Sequence, residues 1–404
     1  MKILHINFSE NKGGASKIMQ ALVKFTRLKG LHAEVLCSRP INKNINFIGY
    51  KLFNSLIPYK IHHKLSVIKN RFINDTNGIC SALYLKKIDK LKPDVIHIHN
   101  IHGGWFDLKL LTKILETYPV VWTLHDMWLL TGHCTSTLGC AKYLEGCGEC
   151  PNLNIDYKLY IDRTKNNWKV RKDILSDASK YNLTIVTVSD WLHKEVSKTE
   201  INNNNCLPIQ NGVNLKSYYP DFDEKMKHSL GFEENDKIIV SSAVGGLKNK
   251  QKNLKLILEA YKILSKKDSK IKLMLIGGIL EGLDVDGVLQ IDYVKDINMM
   301  RKYYSISDLM VYPTLNDTFG LVVAECLACN TPVIASKVQG VQDLLPYEYM
   351  FSKNISASSL SELIFETFKN SYKNEDLFAS NRRKFNESLM GSRYIDLYKK
   401  KLNE

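Results

Sequence analysis

Two hydrophobic rhythms alternate along the chain. Short runs rich in β-branched and aromatic residues, KILHINF, AEVLCS, DVIHIHN, VVWTLHD and LTIVTVS, are separated by longer segments with apolar residues three and four apart, such as ASKIMQALVKFTRLKG and SALYLKKIDKLK. The first rhythm predicts buried strands and the second amphipathic helices. Their alternation predicts a parallel sheet covered by helices on both faces. A loop-rich stretch, CLPIQNGVNLKSYYPDF, follows, and then the pattern restarts: KIIVSSA, KLMLIGG, VLQIDYV, DLMVYPT and PVIASK alternate with NLKLILEAYKILSKK and MMRKYYSIS. The expected fold is α/β, two Rossmann-like doubly wound domains over residues 1–208 and 209–387, joined near 208–220 and taking ligand in a crevice between them.

The length of 404 residues suits two domains better than one core. With 44% hydrophobic and 24% charged residues, and neither a repeat nor a low-complexity tract, the composition is that of a globular protein. The opening MKILHINFSE is broken by His5 and Asn7, unlike a signal peptide, and no apolar run approaches the roughly 18 residues of a membrane span. A cytoplasmic location, or a peripheral one on the inner face of the cytoplasmic membrane, is expected.

Charge is unevenly placed. Residues 1–207 hold 29 Lys/Arg against 17 Asp/Glu, so nearly all of the formal +14 lies there. Such a half is drawn to phosphates on an anionic membrane surface, a lipid pyrophosphate or a nucleic acid, although a solvated lysine-rich surface accounts for the same charge. No nucleic-acid module is present, and the basic residues lack the interleaved aromatics of a stacking platform, so no nucleic-acid partner is expected. The stretch KLFNSLIPYKIHHKLSVIKNRF mixes Lys51, Lys60, Lys64, Lys69 and Arg71 with Phe53, Leu56 and Ile57, and is the expected membrane contact.

Candidate chemistry sits where strands end. Gly13 and Gly14 lie between the first strand and a helix, a place for an anion or simply a tight turn. His125 and Asp126 end the VVWTLHD strand at the carboxyl edge of the sheet, followed by Trp128, where an imidazole can bond a sugar hydroxyl or relay a proton. His97 and His99 share one face of their strand; His97 reads as structural and His99 as nearer the ligand. Lys248, Lys250 and Lys252 precede an apolar helix, where the macrodipole disfavours cations; a bound diphosphate would explain them, as would plain solvation. In DTFGLVVAECLACNTPVIAS, Asp317 falls in a loop at a helix mouth and Glu325 about one turn inside it, able to accept bonds from hydroxyls, or serving merely as a surface acid and a dipole-compensating one. Cys134, Cys140, Cys147 and Cys150 cluster in CTSTLGCAKYLEGCGEC, with His133 beside them; a structural zinc, redox disulfides and free loop thiols all fit that spacing.

Taken in order, GGAS, KPDVIHIHN, TLHDMWLLTGHC, VSDWL, QNGVN, LIGG and DTFGLVVAECLACNTPVIAS resemble a retaining glycosyltransferase of family 4 with the GT-B fold, in the branch of bacterial exopolysaccharide and colanic-acid-type assembly. The likeness spans nearly the whole chain. It implies a hexosyltransferase-type enzyme that passes a sugar from a nucleotide-sugar donor to a lipid-linked or oligosaccharide acceptor, with no covalent enzyme nucleophile and no catalytic metal. By the same resemblance Glu325 binds the nucleotide ribose, and Asp317 stands where the family has a glutamate contacting the donor sugar. Thr318, Phe319 and Gly320 stand for a Gly-Phe-Gly that leads into Leu321. Lys252 matches the diphosphate-binding lysine, with Lys248 or Lys250 replacing a missing arginine. Gly14 matches the glycine at the donor phosphate, and His125 the catalytic histidine; His99, Asp126 and Trp128 are left for the acceptor. Residues 388–404 are expected to dock back on the first domain. A nucleotide-sugar epimerase or a phosphorylase of the same fold is the alternative.

Overall fold

Each half of the chain gathers its apolar runs into one six-stranded, wholly parallel sheet. The computed structural model describes residues 1–10, 13–39, 68, 81–103, 105–155, 158–176, 180–201, 205–370 and 375–404. They form two compact units, Met1–Gln210 with Ser388–Glu404, and Asn211–Glu387. The stretch expected to meet a membrane lies, apart from Ile68, outside the described residues.

In the first unit the strands β1 (Lys2–Ser9), β2 (His32–Arg39), β3 (Val95–Ile98), β4 (Val120–Leu124), β5 (Leu183–Thr187) and β6 (Cys206–Pro208) lie in the order β2-β1-β3-β4-β5-β6. β3, β4 and β5 are buried along their whole length, which is why they read as continuous apolar runs. Winding reverses at β1, which pairs with β2 on one side and β3 on the other, so the carboxyl ends of β1 and β3 flank a topological switch. The first helix, Gly14–Leu28, buries Ile18, Met19, Leu22 and Val23, and Met19 and Val23 share a core cluster with Ala33, Val35 and Cys37 of β2.

The closing helix, Glu387–Asn403, buries Met390, Tyr394, Ile395, Leu397 and Tyr398. It lies against the first helix so closely that a Cβ on Gly391 would stand 2.5 Å from the Phe25 ring. Its end is tied by Lys401 Nζ, which donates to Asn182 Oδ1 at 2.6 Å.

In the second unit β7 (Lys237–Ser242), β8 (Ile271–Ile276), β9 (Val288–Ile291), β10 (Leu309–Tyr312), β11 (Val333–Ser336) and β12 (Met350–Phe351) follow the order β12-β11-β10-β7-β8-β9. The switch here falls between β7 and β10, and brings the loops leaving their carboxyl ends together. β6 and β12, at three and two residues, are too short to show any periodicity in the sequence.

The LIGG motif has a packing role in this unit. Gly277 holds φ 116°, and a Cβ on it would lie 2.0 Å from the Ala243 carbonyl oxygen; one on Gly246 would lie 2.5 Å from the Gly278 oxygen. The turns after β7 and β8 thus meet backbone to backbone. Gly277→Ala should destabilise this unit by about 2–3 kcal/mol through clash and left-handed strain. Urea denaturation should show a lower midpoint with an unchanged slope.

Candidate active site

At the switch of the second unit, one carboxylate organises both loops. Asp317 Oδ2 accepts from Lys252 Nζ at 2.7 Å and from the Tyr312 hydroxyl at 2.6 Å. Its Oδ1 accepts the backbone N–H groups of Phe319 at 3.2 Å and Gly320 at 2.9 Å. A carboxylate has about four lone-pair sites, and here all four are engaged. Lys252 also reaches the Tyr312 hydroxyl at 3.0 Å and the Asn316 carbonyl at 3.3 Å. Burial alone would raise the Asp317 pKa, but the Lys252 charge and the hydrogen bonds outweigh it and hold the group below the usual carboxylate range. Burial likewise works against the Lys252 charge, and Asp317 more than restores it.

This answers the question the three lysines raised. Lys252 is compensated within the protein, and Lys248 and Lys250 are exposed. Beyond Asp317, Gly320 caps the helix Leu321–Ala328 with φ 90°, a left-handed conformation suited to glycine. Phe319 is buried edge-on against Phe385, with ring centroids 5.5 Å apart, and Leu321 opens the helix half-buried. Glu325 lies one turn in and is only 5% exposed. The Tyr218 hydroxyl bonds to it; burial and then the Glu325 charge push the Tyr218 and Tyr304 hydroxyls well above their ordinary pKa.

In the first unit Gly14 is the first residue of its helix and Gly13 holds φ 92°; among the described residues no side chain caps this end, and its first turn has no acid. His99, His125, Asp126 and Trp128 line one cavity, together with His102. Asp126 Oδ1 accepts the Trp128 N–H at 2.8 Å, and its Oδ2 stands 3.3 Å from His102 Nε2. Trp128 is 3% exposed, and the Arg171 guanidinium lies 3.8 Å over its ring. Arg171 covers one face of the Trp128 indole.

Beneath the cavity lies a column of histidines. His5 is in register with His97 on the neighbouring strand, the His97 and His99 centroids are 4.1 Å apart, and those of His99 and His125 5.2 Å apart. His5 Nδ1 meets His99 Nε2 at 3.1 Å, and His99 Nδ1 meets His125 Nε2 at 2.9 Å. His97 bonds the Tyr398 hydroxyl at 2.6 Å and Thr123 Oγ1 at 2.7 Å, and Thr123 bonds the Tyr394 hydroxyl at 2.8 Å. His5, His97 and His99 also bring ring nitrogens within 4.8 Å of one another, as a metal would require, but both nitrogens of His97 and of His99 are already used.

Burial lowers every pKa in the column: His5 to about 3, His125 to about 4 despite Asp126, and His97 and His99 well below 6.5. A neutral imidazole has one N–H, so the links His5–His99–His125 must all point the same way. His5 Nε2 is buried without a partner, and a bare lone pair is easier to strand there than an N–H. His5 therefore donates to His99 and His99 to His125, which leaves the His125 proton on Nδ1. His5, His102, Tyr312, Tyr394 and Tyr398 escaped the sequence reading; only the strand register that sets His5 beside His97 reveals the first of them.

Neutral burial has a pH signature. Between roughly pH 6.5 and 4 the unfolded chain binds protons that the folded column refuses, so stability falls as pH drops through that window, by about 1.4 kcal/mol per pH unit per histidine. Urea midpoints should decline from pH 7 to 5, and His5→Phe should flatten the decline.

The residues of both units match known families. Residues 12–217 match the family described as Glycosyltransferase Family 4, and residues 222–385 that described as Glycosyl transferases group 1. Relatives include the putative colanic acid biosynthesis glycosyl transferase WcaC of Escherichia coli, 22% identical over 90% of this chain and 89% of that protein. Another is the putative teichuronic acid biosynthesis glycosyltransferase TuaC of Bacillus subtilis, 28% identical over 90% and 88%. Sucrose-phosphate synthase from Thermosynechococcus elongatus shares the fold with a TM-score of 0.68 at 18% identity, over 99% of this chain and 98% of that one. Anabaena HepE, solved with UDP-glucose, does so with a TM-score of 0.64 at 15% identity, over 99% and 100%.

Proposed function

Because the chain belongs to glycosyltransferase family 4 and has the two-domain GT-B fold, we propose that it transfers a sugar, with retention of anomeric configuration, from a nucleotide-sugar donor to a lipid-linked or oligosaccharide acceptor in bacterial surface-polysaccharide biosynthesis. One observation carries the reading most directly: a half-buried ammonium, Lys252, is held by Asp317 at the carboxyl edge of the second sheet, close after the glycine-rich turn that follows β7. A diphosphate is the kind of ligand that suits fixed cations and close-packed backbone amides. The names of WcaC and TuaC support polysaccharide assembly, and the UDP-glucose bound to HepE supports a nucleotide-sugar donor.

In this reading Lys252 meets the charge that develops on the departing diphosphate, assisted by Lys248 or Lys250. When Lys252 turns part of its hydrogen bonding to phosphate, an Asp317 Oδ2 lone pair becomes available to a hydroxyl of the donor sugar. Glu325 accepts from the ribose. Gly14 takes donor phosphate at the helix N-terminus of the first unit. His125 offers its Nδ1–H at the reacting sugar as a hydrogen-bond donor, and His99, Asp126 and Trp128 bound the acceptor cavity.

No catalytic metal is proposed. The two Asp-x-Asp triplets of the chain are otherwise placed: Asp221 pairs with Arg301 at 2.9 Å and Asp223 with Lys302 at 2.7 Å, while Asp284 and Asp286 are exposed. The basic first half favours an anionic membrane surface, where a lipid-linked acceptor would be met; among the described residues no helix is long and apolar enough to cross a membrane.

The test is a panel of nucleotide sugars with and without a lipid-linked oligosaccharide extract. Nucleotide release that requires acceptor supports transfer, and isomerised donor with no release would instead indicate an epimerase. Glu325→Gln and Lys252→Ala should each lower kcat/KM a hundredfold or more, with the far-ultraviolet dichroism unchanged. Wild-type rates in Glu325→Gln would remove that residue from the donor site.

A further inference from the structure

The long loop between β4 and the helix Thr164–Leu175 carries four cysteines that the proposed reaction does not use. Cys134, Cys140, Cys147 and Cys150 line a single cavity, with no disulfide among them. Among the described residues of the loop, regular structure amounts to two short 3-10 turns, Trp128–Leu130 and Lys142–Leu144, yet Cys134 and Tyr143 are buried within it. Something other than a sheet or a long helix must hold it.

The end next to the strand is clamped by Arg171, which donates to the Trp128 carbonyl at 2.9 Å and also to that of Thr131. The far end contains the C-x2-C pair, and there four successive residues take positive φ: Gly146 at 129°, Cys147 at 53°, Gly148 at 88° and Glu149 at 44°. Two of these are not glycine and cost about 1 kcal/mol or more each. Backbone amides point at the sulfurs: the Gly132 N–H at Cys147 Sγ, 3.2 Å away, and the Asn152 N–H at Cys150 Sγ, 3.4 Å away. Burial pushes both thiols up, and these bonds offset only part of that rise. Lys142 lines the same cavity and donates to the carbonyls of Glu149 at 2.8 Å and Gly148 at 3.3 Å, which ties the turn between Cys147 and Cys150.

We propose that Cys134, Cys140, Cys147 and Cys150 bind one zinc ion as a closed, structural four-sulfur site. Four soft donors with no carboxylate among them select zinc over the hard cations, and a full set of protein ligands leaves no position for catalysis. Each thiol releases its proton to solvent as its sulfur coordinates, so four Cys–SH and Zn2+ become a dianionic Zn(S–Cys)4 centre and four protons. The two N–H groups offset part of that negative charge. Tetrahedral bonds of about 2.3 Å bring sulfurs to roughly 4 Å from one another. No three of the four sulfurs stand within 4.8 Å of one another, so an ion would have to draw them closer. His133, in the same cavity, donates from Nε2 to the Ile155 carbonyl at 2.9 Å and ties the loop across itself.

The experiment is elemental analysis of the full chain purified in reducing buffer without chelator. One zinc per chain is expected, falling close to zero in Cys140→Ser and Cys150→Ser and unchanged in Cys206→Ser, whose thiol lies outside the cluster. Should the variants fail to fold, cobalt titration of chelator-stripped wild type decides the matter: thiolate-to-metal charge transfer and the visible bands of tetrahedral cobalt should saturate at one equivalent and vanish when zinc is added. Metal-free protein that gives no such spectrum, or peptide mapping that finds these cysteines joined as disulfides, would overturn the site.

Discussion

The second unit depends on the saturation of one carboxylate. Asp317 holds Lys252 and Tyr312 with one oxygen and the turn into the helix Leu321–Ala328 with the other. An aspartate is short enough to cap its own loop while still reaching across to the lysine, so a single side chain sets the position of a cation, a phenol and a helix N-terminus. A part-buried ion pair of this sort adds little net stability once desolvation is counted; what it supplies is a defined geometry. Lys252 is thereby kept charged and in place.

The first unit reaches preorganisation by the opposite route, excluding charge. Its histidine column keeps neutral rings in contact, and the single N–H of each ring commits the next. His125 accordingly stands at the sheet edge as a donor of fixed orientation with little basicity, which suits a site that steadies a developing charge rather than one that abstracts a proton. The closing helix takes part through the Tyr398 and Tyr394 hydroxyls, which satisfy His97 and Thr123.

Much of the architecture was legible because parallel sheets write themselves as unbroken apolar runs; KIIVSSA and VVWTLHD needed no tertiary information to be read as strands. Asp317 and Glu325 were legible as a spaced pair, and Lys252 as a cation at an unfavourable helix start. What no sequence pattern reveals is who answers whom. Tyr312 looks like strand core until its hydroxyl is seen on Asp317, and His5 is an isolated polar residue until strand register sets it beside His97. Arg171, which covers one face of Trp128, lies 43 positions away in sequence. β6 and β12 fall below the length at which alternation exists.

The return of the closing helix to the first unit bears on biosynthesis. Tyr394, Tyr398 and Lys401 are synthesised after the whole of the second unit, whereas the strands they complete precede it. Throughout translation of the second unit the nascent first unit waits with His97 Nδ1 lacking its Tyr398 partner and a bare face along its first helix, a natural client for a chaperone. A break in the chain between the second unit and this helix would strip a seal from the first sheet, far away in sequence.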